Sequence, residues 1–153
     1  MKKCLSLLIL CGCFSYAFAQ SNIKPTNKPY KPPKLITSLG QYHDTLQKLT
    51  RDQALALINS PLQIKDEKKG VYTISSYQFI YKKRNISEDE TGKKYITPSM
   101  TAHTFKTTPL SPIWIDNIKV QLKTGEVLWF TDVIAKDNKG RVMFAPDFKI
   151  MIL

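Results

Sequence analysis

The apolar residues of this chain change period several times, and each change marks a predicted element. Ala54, Leu55, Leu57 and Ile58 have helical spacing, and Leu46 and Leu49 suggest an earlier turn of the same helix. Thr50 and Gln53 stand three apart, the spacing of a capping box in which each side chain serves the other's free N–H. Asn59-Ser60-Pro61 ends the segment, since proline has no donor to continue the ladder. From Leu62 the period becomes two. Leu62 and Ile64 lead into the polar turn Asp66 to Gly70, and Val71 to Lys82 is the clearest strand. Tyr72, Ile74 and Ile80 fall on one side of it, and Val71, Tyr77, Phe79 and Tyr81 on the other. Apolar residues on both sides predict a central strand. The charged run from Asn85 to Lys94 contains Thr91-Gly92 and reads as a mobile loop. Tyr95 to Thr107 alternates weakly and holds one or two strands, with Pro98 restricting one end.

Ser111-Pro112 predicts a second helix start, a cap residue followed by proline in the first turn. Trp114, Ile118 and Leu122 then line one face until Thr124-Gly125 stops the helix. Glu126 to Lys136 is strand-like, Asp137 to Gly140 makes a hairpin turn, and Arg141 to Ala145 returns. Pro146 interrupts before a last strand from Phe148 to Leu153. Short strands with apolar residues on both faces need a second layer to cover them. The expected class is therefore mainly β, a sandwich with one or two short helices.

The N-terminus follows other rules. Lys2 and Lys3 precede an apolar run from Cys4 to Phe14, and Ala17-Phe18-Ala19 stands before Gln20. That is the layout of a secretory signal peptide cleaved between Ala19 and Gln20. The run is about 11 residues, short of the ~20 that span a bilayer, and no later stretch is long and apolar enough. Leu10-Cys11-Gly12-Cys13 offers an alternative, a lipobox in which Cys13 would become the lipidated N-terminus. All three cysteines lie in this leader, so the exported chain is expected to have no disulfide, thiol nucleophile or cysteine metal site. Residues 20–41 form a Pro/Lys island in which Lys24, Lys28, Lys31 and Lys34 alternate with Pro25, Pro29, Pro32 and Pro33. Proline stiffness and lysine repulsion make it a semi-extended tether.

The net charge is +11, and only two of the cations belong to the leader. Export makes nucleic acid an unexpected partner and leaves anionic envelope surfaces or an acidic protein face. Catalytic patterns are sparse. His43-Asp44 are sequence neighbours, which does not make a dyad, and His103 lies on a strand-like segment. Two histidines without cysteine form a poor metal site, and Glu88-Asp89-Glu90 lacks the spaced oxygens of a calcium loop. No catalytic, cofactor or metal residue is therefore assigned. Asn85-Ile86-Ser87 matches a glycosylation sequon that carries little weight beside a bacterial-looking leader. Trp114, Trp129, Tyr72, Tyr77, Phe79 and Phe130 are expected in the core rather than on a ligand platform.

Val71-Tyr72-Thr73-Ile74-Ser75-Ser76-Tyr77-Gln78-Phe79 resembles the opening strand of the C-terminal domain of the GldM and PorM proteins. These are the periplasmic shaft proteins of gliding motility and type IX secretion in Bacteroidota. Ile115 to Leu122, Lys123-Thr124-Gly125-Glu126 and Leu128 to Val133 are similar too, as is the close from Ala135 to Arg141 with Pro146 and Phe148-Lys149-Ile150. The shared order is helix, Lys-x-Gly turn, strand, Gly-containing hairpin and final strand. The shaft proteins also carry an inner-membrane helix and several tandem domains, neither of which is expected here. The resemblance implies an immunoglobulin-like, non-enzymatic module over residues 62–153, exported to the periplasm or outer membrane and contacting another envelope protein. The expected organisation is a signal peptide (1–19), a linker (20–41), a helical segment (42–61) and this module. The alternative function is a small ligand-binding protein or hydrolase with a pocket near His103. Intact-mass measurement of the exported chain is expected to give Gln20 as first residue; a lipid-modified Cys13 start would instead establish the lipobox.

Overall fold

The computed structural model describes residues 30–153, of which Pro32–Leu153 cluster as one unit. In chain order the elements are β1 (Leu35–Leu39), β2 (Leu46–Leu49), α1 (Arg51–Leu57), β3 (Leu62–Asp66), β4 (Val71–Glu88), β5 (Lys94–Phe105), α2 (Pro112–Gln121), β6 (Val127–Lys136), β7 (Val142–Ala145) and β8 (Phe148–Ile152). The leader, Cys13, Ala19, Gln20, Lys24 and Lys28 lie outside the described residues; Lys31 and Lys34 are exposed.

The protein is mainly β. Its strands run in the order β1-β3-β4-β6-β8-β2, with β5 added to β4 and β7 to β6. β2 is parallel to β8, and every other pairing is antiparallel. β4 is central, as its two apolar faces predict: from Gln78 to Lys82 it bonds β5 and β6 at once. The β4–β6 register slips between Ile74 and Ser76 and again between Ser76 and Gln78. Asp132 sits opposite these slips with φ of 49°. Bulges bend a strand and sharpen its twist, and here the sheet curls until β1 meets β7 and β8. The Thr37 hydroxyl donates to the Pro146 carbonyl across that approach.

Rings fill the inside of the curl. Phe79 and Phe130 are cross-strand partners with centroids 5.0 Å apart. Tyr77 stacks on Phe105 at 5.6 Å, and Phe148 meets Phe130 at 6.3 Å. α2 buries Ile115 and Ile118 and turns Trp114 edge-on to Phe79. Ala54, Leu57 and Ile58 enter the core from α1. The Thr50–Gln53 capping box forms as its spacing predicts. Arg51 joins the helices, donating from Nε to Leu122 O at 3.0 Å and from Nη2 to Lys119 O at 2.6 Å. Those are free carbonyls at the end of α2, where a cation is favoured. Ser111 precedes α2 as expected, but its side chain makes no capping bond.

Several expectations need correction. Leu46 and Leu49 belong to β2, because β8 supplies a ladder that outweighs local helical spacing. The island of 20–41 ends in β1, where Leu35, Thr37 and Leu39 alternate inward. Residues 85–94 are not one loop: β4 continues to Glu88 and β5 starts at Lys94. β5 is a single strand with Pro98 well inside it, paired with Arg84. Among the described residues no helix is long and apolar enough to cross a membrane.

Three hairpin turns share one device that the sequence reading did not pick out. Asp66 Oδ1 accepts from Lys68 N (2.9 Å) and Gly70 N (2.7 Å). Asp89 Oδ1 accepts from Thr91 N and Lys93 N, both at 3.0 Å. Asp137 Oδ1 accepts from Lys139 N (2.8 Å) and Arg141 N (2.9 Å). Each carboxylate thus collects the N–H groups two and four residues on. The residue three on has positive φ: Lys69, Gly92 and Gly140.

All three carboxyls are held below the ordinary 3.8. For Asp66 the Gly70 N–H and then the Tyr72 hydroxyl are responsible; for Asp89, the Thr91 hydroxyl and then the Lys93 N–H. Desolvation opposes the Asp137 charge, but donors from Arg141 and Lys139 outweigh it. A depressed pKa contributes stability above the unfolded value that is lost as pH falls through the folded one. Carboxyl-carbon NMR is expected to show these three aspartates titrating below 3.8, with hydrogen-exchange protection in the three turns falling over the same interval.

Candidate functional site

β6 accompanies β4 only to Lys82, so Lys83–Glu88 and their β5 partners continue beyond it as a two-stranded arm. Alternation sorts the arm's side chains. Ile86 faces Ile96, Arg84 faces Pro98 and Lys82 faces Met100, all on one side. Ile86, Met100 and Ile96 are 73%, 62% and 52% exposed. The other side is polar and cross-linked: Asn85 Nδ2 donates to Ser99 Oγ, and the Ser87 and Thr97 hydroxyls meet, each pair at 3.0 Å. The sequon asparagine thus braces the arm.

The far edge of β5 has no neighbouring strand among the described residues. From Tyr95 to Phe105 it carries neither Lys, Arg, Asp nor Glu, the charges that commonly guard an edge. Proline holds a place in a strand where its nitrogen faces away from the ladder. The β4–β5 register is unbroken, so Met100, Ala102 and Thr104, which share the parity of Pro98, turn their N–H and C=O groups to this uncovered side.

The apolar side of the arm continues onto the outer face of the sheet. Ile80 is only 6% exposed yet lies outside the main core cluster. Trp129 is its neighbour on β6, and Lys149 pairs with Trp129 from β8. The Lys82 and Lys149 ammonium groups stand 4.7 and 4.4 Å from the Trp129 ring centroid, a cation–π geometry. Asp147 fixes the ring, accepting from Trp129 Nε1 at 3.0 Å and from the Thr131 hydroxyl at 3.1 Å. The ion pairs among the described residues, Arg51–Asp52, Lys119–Asp116 and Arg141–Asp137, take no cation from this face.

A buried carboxylate holds the root of the arm. Glu126 is 3% exposed and collects three donors: the Tyr81 hydroxyl, Lys123 N at 2.9 Å and Arg84 N at 3.2 Å. It ties β4, where the strand leaves the sheet, to the turn between α2 and β6. Burial first, then the Glu126 hydrogen bond and charge, push the Tyr81 phenol above its ordinary 10.0. Arg84 folds over Gly125, whose φ is +82°; a Cβ there would overlap the guanidinium. The turn thus needs glycine for its left-handed conformation, while the flexible Arg84 side chain could move aside for a Cβ.

A separate groove of about 280 Å³ lies between α2 and the start of the arm. Its lining is Tyr81, Lys83, Thr101, Trp114, Asn117, Ile118 and Gln121. The Lys83 ammonium crosses it to the Gln121 side-chain oxygen. His103 is not part of this lining. It is exposed on β5, with its ring 4.8 Å from Phe105 and 5.9 Å from Trp114. His43 is exposed between β1 and β2. Among the described residues no group of three or more His, Cys, Asp or Glu could hold a metal ion. Asp89 of the acidic run closes its turn, as described above.

No protein-family model matches the chain, and no curated protein matches it. Replacing Glu126 by Gln would turn an amide donor toward groups that already donate, which costs about 1–3 kcal/mol for a buried unsatisfied pair. Urea unfolding of Glu126→Gln is expected to show a loss in that range, together with faster hydrogen exchange at Arg84 and Lys123.

Proposed function

We propose that the chain is a non-enzymatic, exported protein-interaction module of the bacterial cell envelope, related to the immunoglobulin-like shaft domain of the gliding-motility and type IX secretion machinery. The uncovered, uncharged edge of β5 carries this reading. An edge of that kind accepts an extended segment by strand addition, where backbone hydrogen bonds give affinity and alternate side chains give specificity. The apolar side of the arm extends the contact, and the lysines beside Trp129 favour a partner with acidic side chains next to its paired segment. Export rests on the basic, apolar and small-residue layout of the leader. The Pro/Lys tether before β1 would hold the module away from its point of attachment or near an anionic envelope surface. Two facing layers of an immunoglobulin-like module are compatible with the curl that brings β1 against β7 and β8.

A photo-crosslinking residue at Met100 or Ala102 in living cells is expected to trap one envelope protein, and the same residue at Val120 on α2 to trap none. Ala102→Pro removes a donor from the uncovered side and leaves the β4 ladder intact. It is expected to abolish the crosslink from Met100 while the protein melts within a few degrees of the parent. Crosslinking that is equal at all three positions, or absent from β5, would refute strand addition.

A further inference from the structure

We propose that the groove between α2 and the root of the arm binds a short acidic saccharide. Its volume of about 280 Å³ lies near the lower end of small-ligand sites, about 300–1,000 Å³, and suits one or two sugar rings. The floor is apolar: Ile118 is fully buried and Tyr81 is 3% exposed. Trp114 stands at one end, fixed by Phe79 at 5.6 Å, Phe105 at 5.8 Å and His103 at 5.9 Å. An indole held by three rings is a stiff surface for the C–H face of a sugar, and ordering it costs little entropy on binding.

The polar groups around this floor match the other half of a sugar. The Thr101 hydroxyl and the Asn117 amide have no hydrogen-bond partner within the described protein, and both line the groove. Gln121 gives its oxygen to Lys83 and keeps its amide N–H groups. Sugar hydroxyls donate and accept at once, so a hydroxyl and two planar amides serve them where a single charge would not. The electrostatics then select the sugar. Lys83 is the one charged residue of the lining, and no carboxylate joins it. Glu126, behind Tyr81, is occupied by three donors, and Asp116 on α2 pairs with Lys119 at 3.5 Å. A carboxylate on the sugar would find the Lys83 ammonium with donors to spare.

The groove uses none of the outward N–H groups of β5, and Lys83→Gln and Asn117→Ala lie off that strand, so the two proposals fail independently. The chain has two tryptophans, and Trp129→Phe leaves Trp114 as the reporter in the exported chain. Titration with trigalacturonate is expected to shift Trp114 emission at millimolar concentration, and maltotriose to bind about tenfold more weakly, the worth of one charge-assisted bond. Lys83→Gln should erase that preference, and Asn117→Ala should weaken both sugars. Both side chains are peripheral to the core, so unchanged melting is expected to accompany the loss. No Trp114 response to either sugar, equal binding of the two, binding of tetraglutamate as tight as that of trigalacturonate, or binding indifferent to both variants would overturn the proposal.

Discussion

A strand of 18 residues must find partners for its backbone groups along both edges or leave them to water, and β4 is such a strand. It meets β3 at its start, β6 through its middle and β5 from Tyr77 to its end. The partners differ in length, and the architecture follows from where each stops. β6 stops opposite Lys82, so the rest of β4 has only β5, and the arm stands clear of the sheet. The ring cluster belongs to the stretch where both neighbours are present. There Phe79 is flanked by Phe130 on one side and His103 on the other.

Carboxylates carry much of the polar organisation. Three aspartates close hairpin turns by the same pattern of acceptances, and Glu126 does similar work inside the protein with three donors from β4 and the turn before β6. Asp147 orients Trp129 between two lysines. In a chain with 23 Lys and Arg against 12 Asp and Glu, many of the acids described here are committed to backbone or ring donors. The basic excess therefore remains on the surface, where it bears on which partners approach.

Much of the fold was legible in the sequence. Period-two runs located β3, β6 and the first part of β4, and the capping box and Ser-Pro pair located both helices. The misses share a cause. Leu46 and Leu49 look helical by local spacing, and only a distant segment, β8, makes them a strand. Leu35 to Leu39 alternates properly but sits among prolines and lysines that masked it. Residues 85–94 looked like a loop because five of them are charged and Ile86 is the one aliphatic among them, and only the ladder to β5 makes Asn85 to Glu88 a strand. The groove could not be read at all. Its residues come from β4, β5 and α2 and share no local pattern, so nothing short of the fold brings them together.

Pro98 sits inside β5, whose outer edge has no neighbouring strand among the described residues. Lacking an N–H, it interrupts the row of outward donors between Ile96 and Met100. A second strand can therefore dock along Met100 to Thr104 but cannot extend an unbroken ladder to the tip of the arm. Edge-on stacking of copy upon copy, the route by which bare edges grow into fibres, loses its continuity at that gap.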